Sequence, residues 1–168
     1  MALILVKGGN KVYGFDTDGS IKLPELIMTS WIPSLLKEID VVFTMLPSGL
    51  IVKEIIHQFI GDLSAKSTLL DCSTIDVKTT KDLCKILHKR DIYMLDAPVS
   101  GSVQGAKSGS LTFMVGGSTR IFEKFQFLFY YIGNRAVYCG ETGSGQSAKI
   151  CNNMILLATM IALLIPLL

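Results

Sequence analysis

The chain has 168 residues, 49% of them hydrophobic and 18% charged, with a formal net charge of +2. That length suits one cored domain, or one domain and part of a second, and the composition excludes a disordered chain. The small charge and the lack of a basic run argue against nucleic acid or an anionic membrane as partner. Four cysteines (Cys72, Cys84, Cys139, Cys151) and two lone histidines (His57, His88) show no metal-ligand spacing, which argues against a zinc site or a disulfide framework and suits a reducing compartment.

In chain order, Met1–Lys7 reads as the tail of a helix ended by Gly8-Gly9, and Lys11–Phe15 as a strand ending at Asp16. Thr17–Ser20 is a turn and Trp31–Ile39 a short helix. Val41–Leu46 is a buried strand halted by Pro47, and Leu50–Ile60 has helical apolar spacing up to Gly61. Thr68–Cys72 is a strand, after which Thr74 or Asp76 caps a helix running to about Arg90. Tyr93–Leu95 is a strand leading into Asp96-Ala97-Pro98. Ser100–Ser110, rich in Gly and Ser, predicts a long loop with room for one helical turn. Leu111–Val115 is a strand closed by Gly116-Gly117, Ser118 caps a helix from about Thr119 to Phe129, and Ala136–Tyr138 is the last strand. From Gly145 the chain reads as one helix, about 24 residues or roughly 36 Å long.

Strand and helix signals alternate, so the fold class is α/β with a parallel sheet. The domains are expected at 1–143 and 144–168, the second being the start of a further, helical unit. The uncharged stretch Met154–Leu168 falls short of the ~20 residues that cross a bilayer, so a core helix rather than a membrane span is expected. No secretory signal is legible at the start.

Five segments hold polar groups at strand ends or helix starts. Asp16 is either a carboxylate for an adenosine ribose, which also disfavours a 2′-phosphate, or an ordinary turn aspartate. Leu46-Pro47-Ser48 either borders a ligand crevice or stops a strand and caps a helix. In Asp71–Asp76 the hydroxyls face the same crevice, or Thr74 is an N-cap. In Asp96–Ser102, Ser100 and the neighbouring backbone N–H groups make a small anion nest suited to a carboxylate, or the segment is a solvent loop. In the last segment, Lys149, Asn152 and Asn153 share one face of a helix that is otherwise apolar. Buried polar groups need partners, so these three either line a polar cleft or bind one another and the backbone.

The strings DCSTID, DAPVSGS, SGSLTFMVGG, VYCG and GSGQSAKICNNM, in that order, resemble the β-hydroxyacid dehydrogenase family over nearly the whole chain. The resemblance implies a Rossmann-type doubly wound sheet, here incomplete, followed by the truncated first helix of an all-α domain. It implies oxidation of a small 3-hydroxy acid, 3-hydroxyisobutyrate foremost, to its semialdehyde with NAD as cofactor, in valine catabolism. Lys149 matches the family's catalytic lysine. Ser100 and Gly101 match its substrate-carboxylate nest, and Asn153 with Asn152 beside it its substrate-binding asparagine. Asp16 matches the ribose-binding acid, Leu46 and Pro47 the adenosine-side loop, and Thr74 a nicotinamide-side contact. It further implies a mitochondrial location and a homo-oligomeric whole protein. A non-catalytic dehydrogenase-like module and a tartronate-semialdehyde type enzyme are the alternatives; the presence of Lys149 counts against the first.

The chain departs from the family pattern in places. No strand with a GxGxxG turn precedes Met1–Lys7, so the sheet is expected to lack a central strand, and the chain alone is expected to be inactive. Gly101-Ser102 stands where the family has a glycine pair, and Pro166 interrupts the closing helix.

Overall fold

The computed structural model describes residues 1–18, 26–28 and 33–165. Gly19 and Ser20 of the expected turn, Trp31 and Ile32 of the expected helix, and Pro166 lie outside the described residues. The elements are α1 (Ala2–Lys7), β1 (Tyr13–Gly14), β2 (Ile27–Met28), α2 (Pro33–Leu36), β3 (Val41–Thr44), α3 (Gly49–Phe59), β4 (Thr68–Asp71), α4 (Val77–His88), β5 (Tyr93–Asp96), β6 (Val99–Ser100), α5 (Ser102–Ser108), β7 (Leu111–Gly117), α6 (Thr119–Ile132), β8 (Gly133–Gly140) and α7 (Ser144–Leu164).

A six-stranded sheet runs β3-β4-β5, continues to β7, with β6 on the same side of β7 as β5, and closes with β8. The first three strands are parallel and in step, with Thr44 opposite Asp71 and Asp71 opposite Asp96. β7 runs antiparallel to β5 and β6, and β8 parallel to β7, so the sheet is mixed rather than purely parallel. The cause is the short link through α5, since a parallel crossover needs a dozen or more residues. β1 and β2 pair with each other, parallel, in a separate ladder. Among the described residues no strand pairs with the outer edge of β3.

Successive strand residues serve opposite faces, and the core divides accordingly. Leu70, Leu95, Phe113 and Val115 pack on α6 and on Leu5 of α1. Leu69, Met94 and Ile92 pack on α3 and α4. The buried residues of α6 (Ile121, Phe122, Phe125, Leu128, Phe129, Ile132) follow the helical period, and the Phe129 ring packs, tilted, 4.9 Å from that of Phe113 by ring centroids. Ser48 caps α3, accepting from the Ile51 N–H, and Asp76, not Thr74, caps α4, accepting from the Thr79 N–H at 2.8 Å.

Two expectations change. The Gly/Ser segment is not a long loop: it forms β6 and the two-turn helix α5, which Gly109 ends in the left-handed conformation at φ 70°. The small Gly105 lets that helix lie against Leu111. The closing helix is also not a buried core helix. Only Gly145 and Gln146 of α7 are buried, and from Met154 to Ile165 every residue is exposed. By length and composition alone α7 can cross a membrane, its 21 residues counting Ser144–Cys151 as well as the apolar stretch.

Candidate functional site

The carboxyl ends of β3, β4 and β5 place Thr44, Asp71 and Asp96 in one buried row. In an open α/β sheet this edge is where ligands bind. The loops that leave it carry Leu46 and Pro47, then Ser73-Thr74-Ile75, then Pro98 to Gly101. The row itself is structural. Thr44 Oγ1 donates to Asp71 Oδ1 at 2.8 Å, and the Ser73 N–H donates to the same oxygen at 3.0 Å. Asp71 Oδ2 has no hydrogen-bond partner among the described residues. Burial pushes the Asp71 carboxyl above the ordinary carboxylate range, and the neighbouring Asp96 adds to this.

Asp96 receives the amino end of α7. Its Oδ1 accepts from the Gly143 N–H at 2.8 Å and its Oδ2 from the Gln146 N–H at 3.0 Å. A carboxylate suits a helix N-terminus, whose first N–H groups lack partners and whose dipole is positive. Burial still raises the Asp96 pKa, with those N–H bonds opposing. Glycine is required where α7 meets the sheet, since a Cβ on Gly145 would sit 2.4 Å from the Met114 carbonyl oxygen and 2.6 Å from that of Asp96.

The Gln146 side chain is fully buried; Nε2 donates to the Ser73 carbonyl at 2.8 Å and Oε1 accepts from the Ile75 N–H at 3.1 Å. Ser73 Oγ in turn accepts from the Leu46 N–H at 2.9 Å. A chain of hydrogen bonds therefore runs from the β3 loop through the β4 loop to α7.

Among the predicted site residues, Lys149 lies one turn beyond Gln146 and is half-buried. Its amine makes no hydrogen bond or ion pair among the described residues, and burial lowers its pKa from the usual lysine value. Asn152 is half-buried and Asn153 exposed; Asn152 Nδ2 donates to Asn153 Oδ1 at 3.4 Å, so the pair bond each other. Thr74 is exposed and, since Asp76 caps α4, its hydroxyl is not used as a cap. Leu46 is half-buried and Pro47 exposed. Ser100 is half-buried at the end of β6, opposite Thr112, and Gly101 has φ 135°, a conformation suited to glycine. Ser102, where the family pattern has glycine, is held at φ 60°. Asp16 is exposed after β1, and its Oδ1 accepts from the Asp18 N–H at 2.9 Å in an Asx turn. No hydrogen bond joins Asp16, Ser100 or Asn153 to Lys149 among the described residues.

The sequence reading missed Thr44, Asp71, Ser73, Asp96 and Gln146 as the frame of the site. Gln146 carried the clearest signal, a polar residue between the glycines of a close-packed helix start and Lys149 on the same face. Among the described residues no group of acids, cysteines and histidines could hold a metal ion, and all four cysteines are free thiols.

Residues 1–140 match the model of the NAD binding domain of 6-phosphogluconate dehydrogenase. The chain is 47% identical over 125 residues to mouse mitochondrial 3-hydroxyisobutyrate dehydrogenase, covering 73% of this chain and 37% of that protein. It is 38% identical over 168 residues to the probable mitochondrial 3-hydroxyisobutyrate dehydrogenase of Dictyostelium discoideum, covering 96% and 52%. A solved Mycobacterium tuberculosis 3-hydroxyisobutyrate dehydrogenase with L-serine superposes with a TM-score of 0.90 at 31% identity, covering 96% of this chain and 57% of that one. The chain thus spans about half the length of the relatives it matches or less.

Proposed function

The chain belongs to the family of NAD-binding domains typified by that of 6-phosphogluconate dehydrogenase, and from that membership we propose that its whole protein oxidises 3-hydroxyisobutyrate, or a close 3-hydroxy acid, to the semialdehyde with NAD. The observation that carries this is Lys149: a half-buried amine without a partner among the described residues, on a helix anchored to the carboxyl edge of the parallel strands. The names of the mouse and Dictyostelium relatives support the substrate and a mitochondrial location, and a role in valine catabolism is part of the same proposal.

The residues present suit the two ends of the cofactor. The exposed Asp16, whose Oδ1 accepts from its own turn, would hold the ribose hydroxyls through its other oxygen, with Leu46 and Pro47 on the adenosine side and the exposed Thr74 hydroxyl on the nicotinamide side. When bound, NAD supplies the hydride acceptor. Lys149 Nζ takes the proton of the carbinol hydroxyl as the carbon is oxidised, and burial lowers its pKa in the direction a base needs. Ser100 and the backbone at Gly101 hold the substrate carboxylate, and Asn153 with Asn152 orients the substrate, which fixes the reacting carbon. The activity is that of the whole protein, a homo-oligomer in this reading, and residues 1–168 assayed alone are proposed to be inactive.

The test is Lys149→Ala in the whole protein, with NADH formation followed on 3-hydroxyisobutyrate and on other small 3-hydroxy acids. The expected loss in kcat is about 10²- to 10⁴-fold. Turnover within threefold of wild type would remove Lys149 from the mechanism.

A further inference from the structure

We propose that Gln146 is a positioning residue for this oxidation: its buried carboxamide sets the height and rotation of the helix bearing Lys149 against the loop bearing Thr74. The inference rests on the roles proposed above for those two residues. The two groups that Gln146 binds, the Ser73 carbonyl at 2.8 Å and the Ile75 N–H at 3.1 Å, belong to the residues immediately before and after Thr74. Lys149 follows Gln146 by three positions, so it projects from the same side of α7 one turn further along. One fully buried side chain thus brackets Thr74 and lies a helical turn from the amine.

Its own backbone is held as well, because the Gln146 N–H donates to Asp96 Oδ2. Ser73 passes the register on, accepting from the Leu46 N–H and donating its own N–H to Asp71. The loops assigned to the two ends of the cofactor are therefore tied to the helix assigned to catalysis through Ser73 and Gln146. An apolar contact could dock α7, but it would leave the helix free to slide or turn. A carboxamide carries a donor and an acceptor on one plane, so satisfying both a carbonyl and an N–H defines an orientation. Glutamate lacks the donor and methionine lacks both at nearly equal length.

The experiment uses the whole protein with Gln146→Met. It reads kcat, the KM for the hydroxy acid, the isotope effect with deuterium on the carbinol carbon, and amide hydrogen exchange. The expected result is a fall in kcat of about tenfold or more with KM changed less than about threefold. The isotope effect should rise as hydride transfer becomes the slow step, and exchange at Ile75 should accelerate. A folded Gln146→Met enzyme with wild-type kcat and isotope effect overturns the proposal, even if its thermal midpoint falls, and so does unchanged protection at Ile75. Should that protein not accumulate, Gln146→Asn, one methylene too short to span both groups, is read against the same outcomes. If the parent turns over no hydroxy acid, the functional reading fails, while exchange at Ile75 and across Gly143–Lys149 still tests the clamp by itself.

Discussion

Replacing Gly145 by alanine tests whether α7 belongs to the sheet domain at its start. The added Cβ would lie 2.4 Å from the Met114 carbonyl oxygen, 2.6 Å from the Asp96 carbonyl oxygen and 2.8 Å from Asp96 Oδ2. The two nearest are backbone oxygens, and the third, Asp96 Oδ2, is held by the Gln146 N–H. To reach even 3.0 Å from Met114 the helix must back off by about 0.6 Å (3.0 minus 2.4). That retreat strains the bonds from the Gly143 and Gln146 N–H groups to Asp96, now 2.8 and 3.0 Å. Overpacking costs about 1–3 kcal/mol, and one buried hydrogen bond to a charged group about 1.5–3 kcal/mol more. The sum is about 2.5–6 kcal/mol, a fall in Tm on the order of 10 °C for a chain of this size. Urea unfolding followed by far-UV circular dichroism measures it, with Gly61→Ala as control because a Cβ there meets nothing within 4 Å. If Gly145→Ala unfolds within about 0.5 kcal/mol of wild type, the range of ordinary surface changes, the packing of α7 on β7 is wrong.

Acid stability follows from the buried row. Asp71 and Asp96 have folded pKa values raised mainly by burial, so between the ordinary aspartate value of 3.8 and the raised values the folded state binds more protons than the unfolded one. Their contribution therefore favours folding at low pH and declines as pH rises through that window. Exposed Asp76, lowered by its bond to Thr79, works in the opposite sense, so the comparison must be with a single variant. Asp71→Asn should gain stability relative to wild type on going from pH 4 to pH 7, read from urea midpoints; an equal difference at both pH values contradicts a raised Asp71. At the other end of the cofactor site, Asp16→Ala in the whole protein should weaken NAD by about tenfold, the loss of one or two charge-assisted bonds, and narrow its preference over NADP. Calorimetric titration showing both affinities unchanged would release Asp16 to its role in the turn. Among the thiols, exposed Cys151 should react first with a disulfide reagent, while Cys72, fully buried and pushed up by burial, reacts only on unfolding. A fast phase that survives Cys151→Ser would contradict that order.

Local signals were sufficient wherever a residue's role depends on its near neighbours. The apolar stripe of α6 sets its buried face, Asp16 bonds the Asp18 N–H as a turn aspartate can, one of the two readings open for it, and of Thr74 and Asp76 the cap of α4 is Asp76. The residues proposed for the chemistry, Lys149 with the two asparagines and Ser100 with Gly101, were named from short local strings that match a known pattern. Tertiary structure alone decided how that site is held. Gly143 reaches Asp96 across 47 positions and Gln146 reaches Ser73 across 73, and no periodicity or spacing encodes a bond between residues so far apart. The same holds for exposure along α7. Its apolar composition pointed to a core, but burial depends on which neighbours stand beside a helix, and here only its first turn meets the sheet.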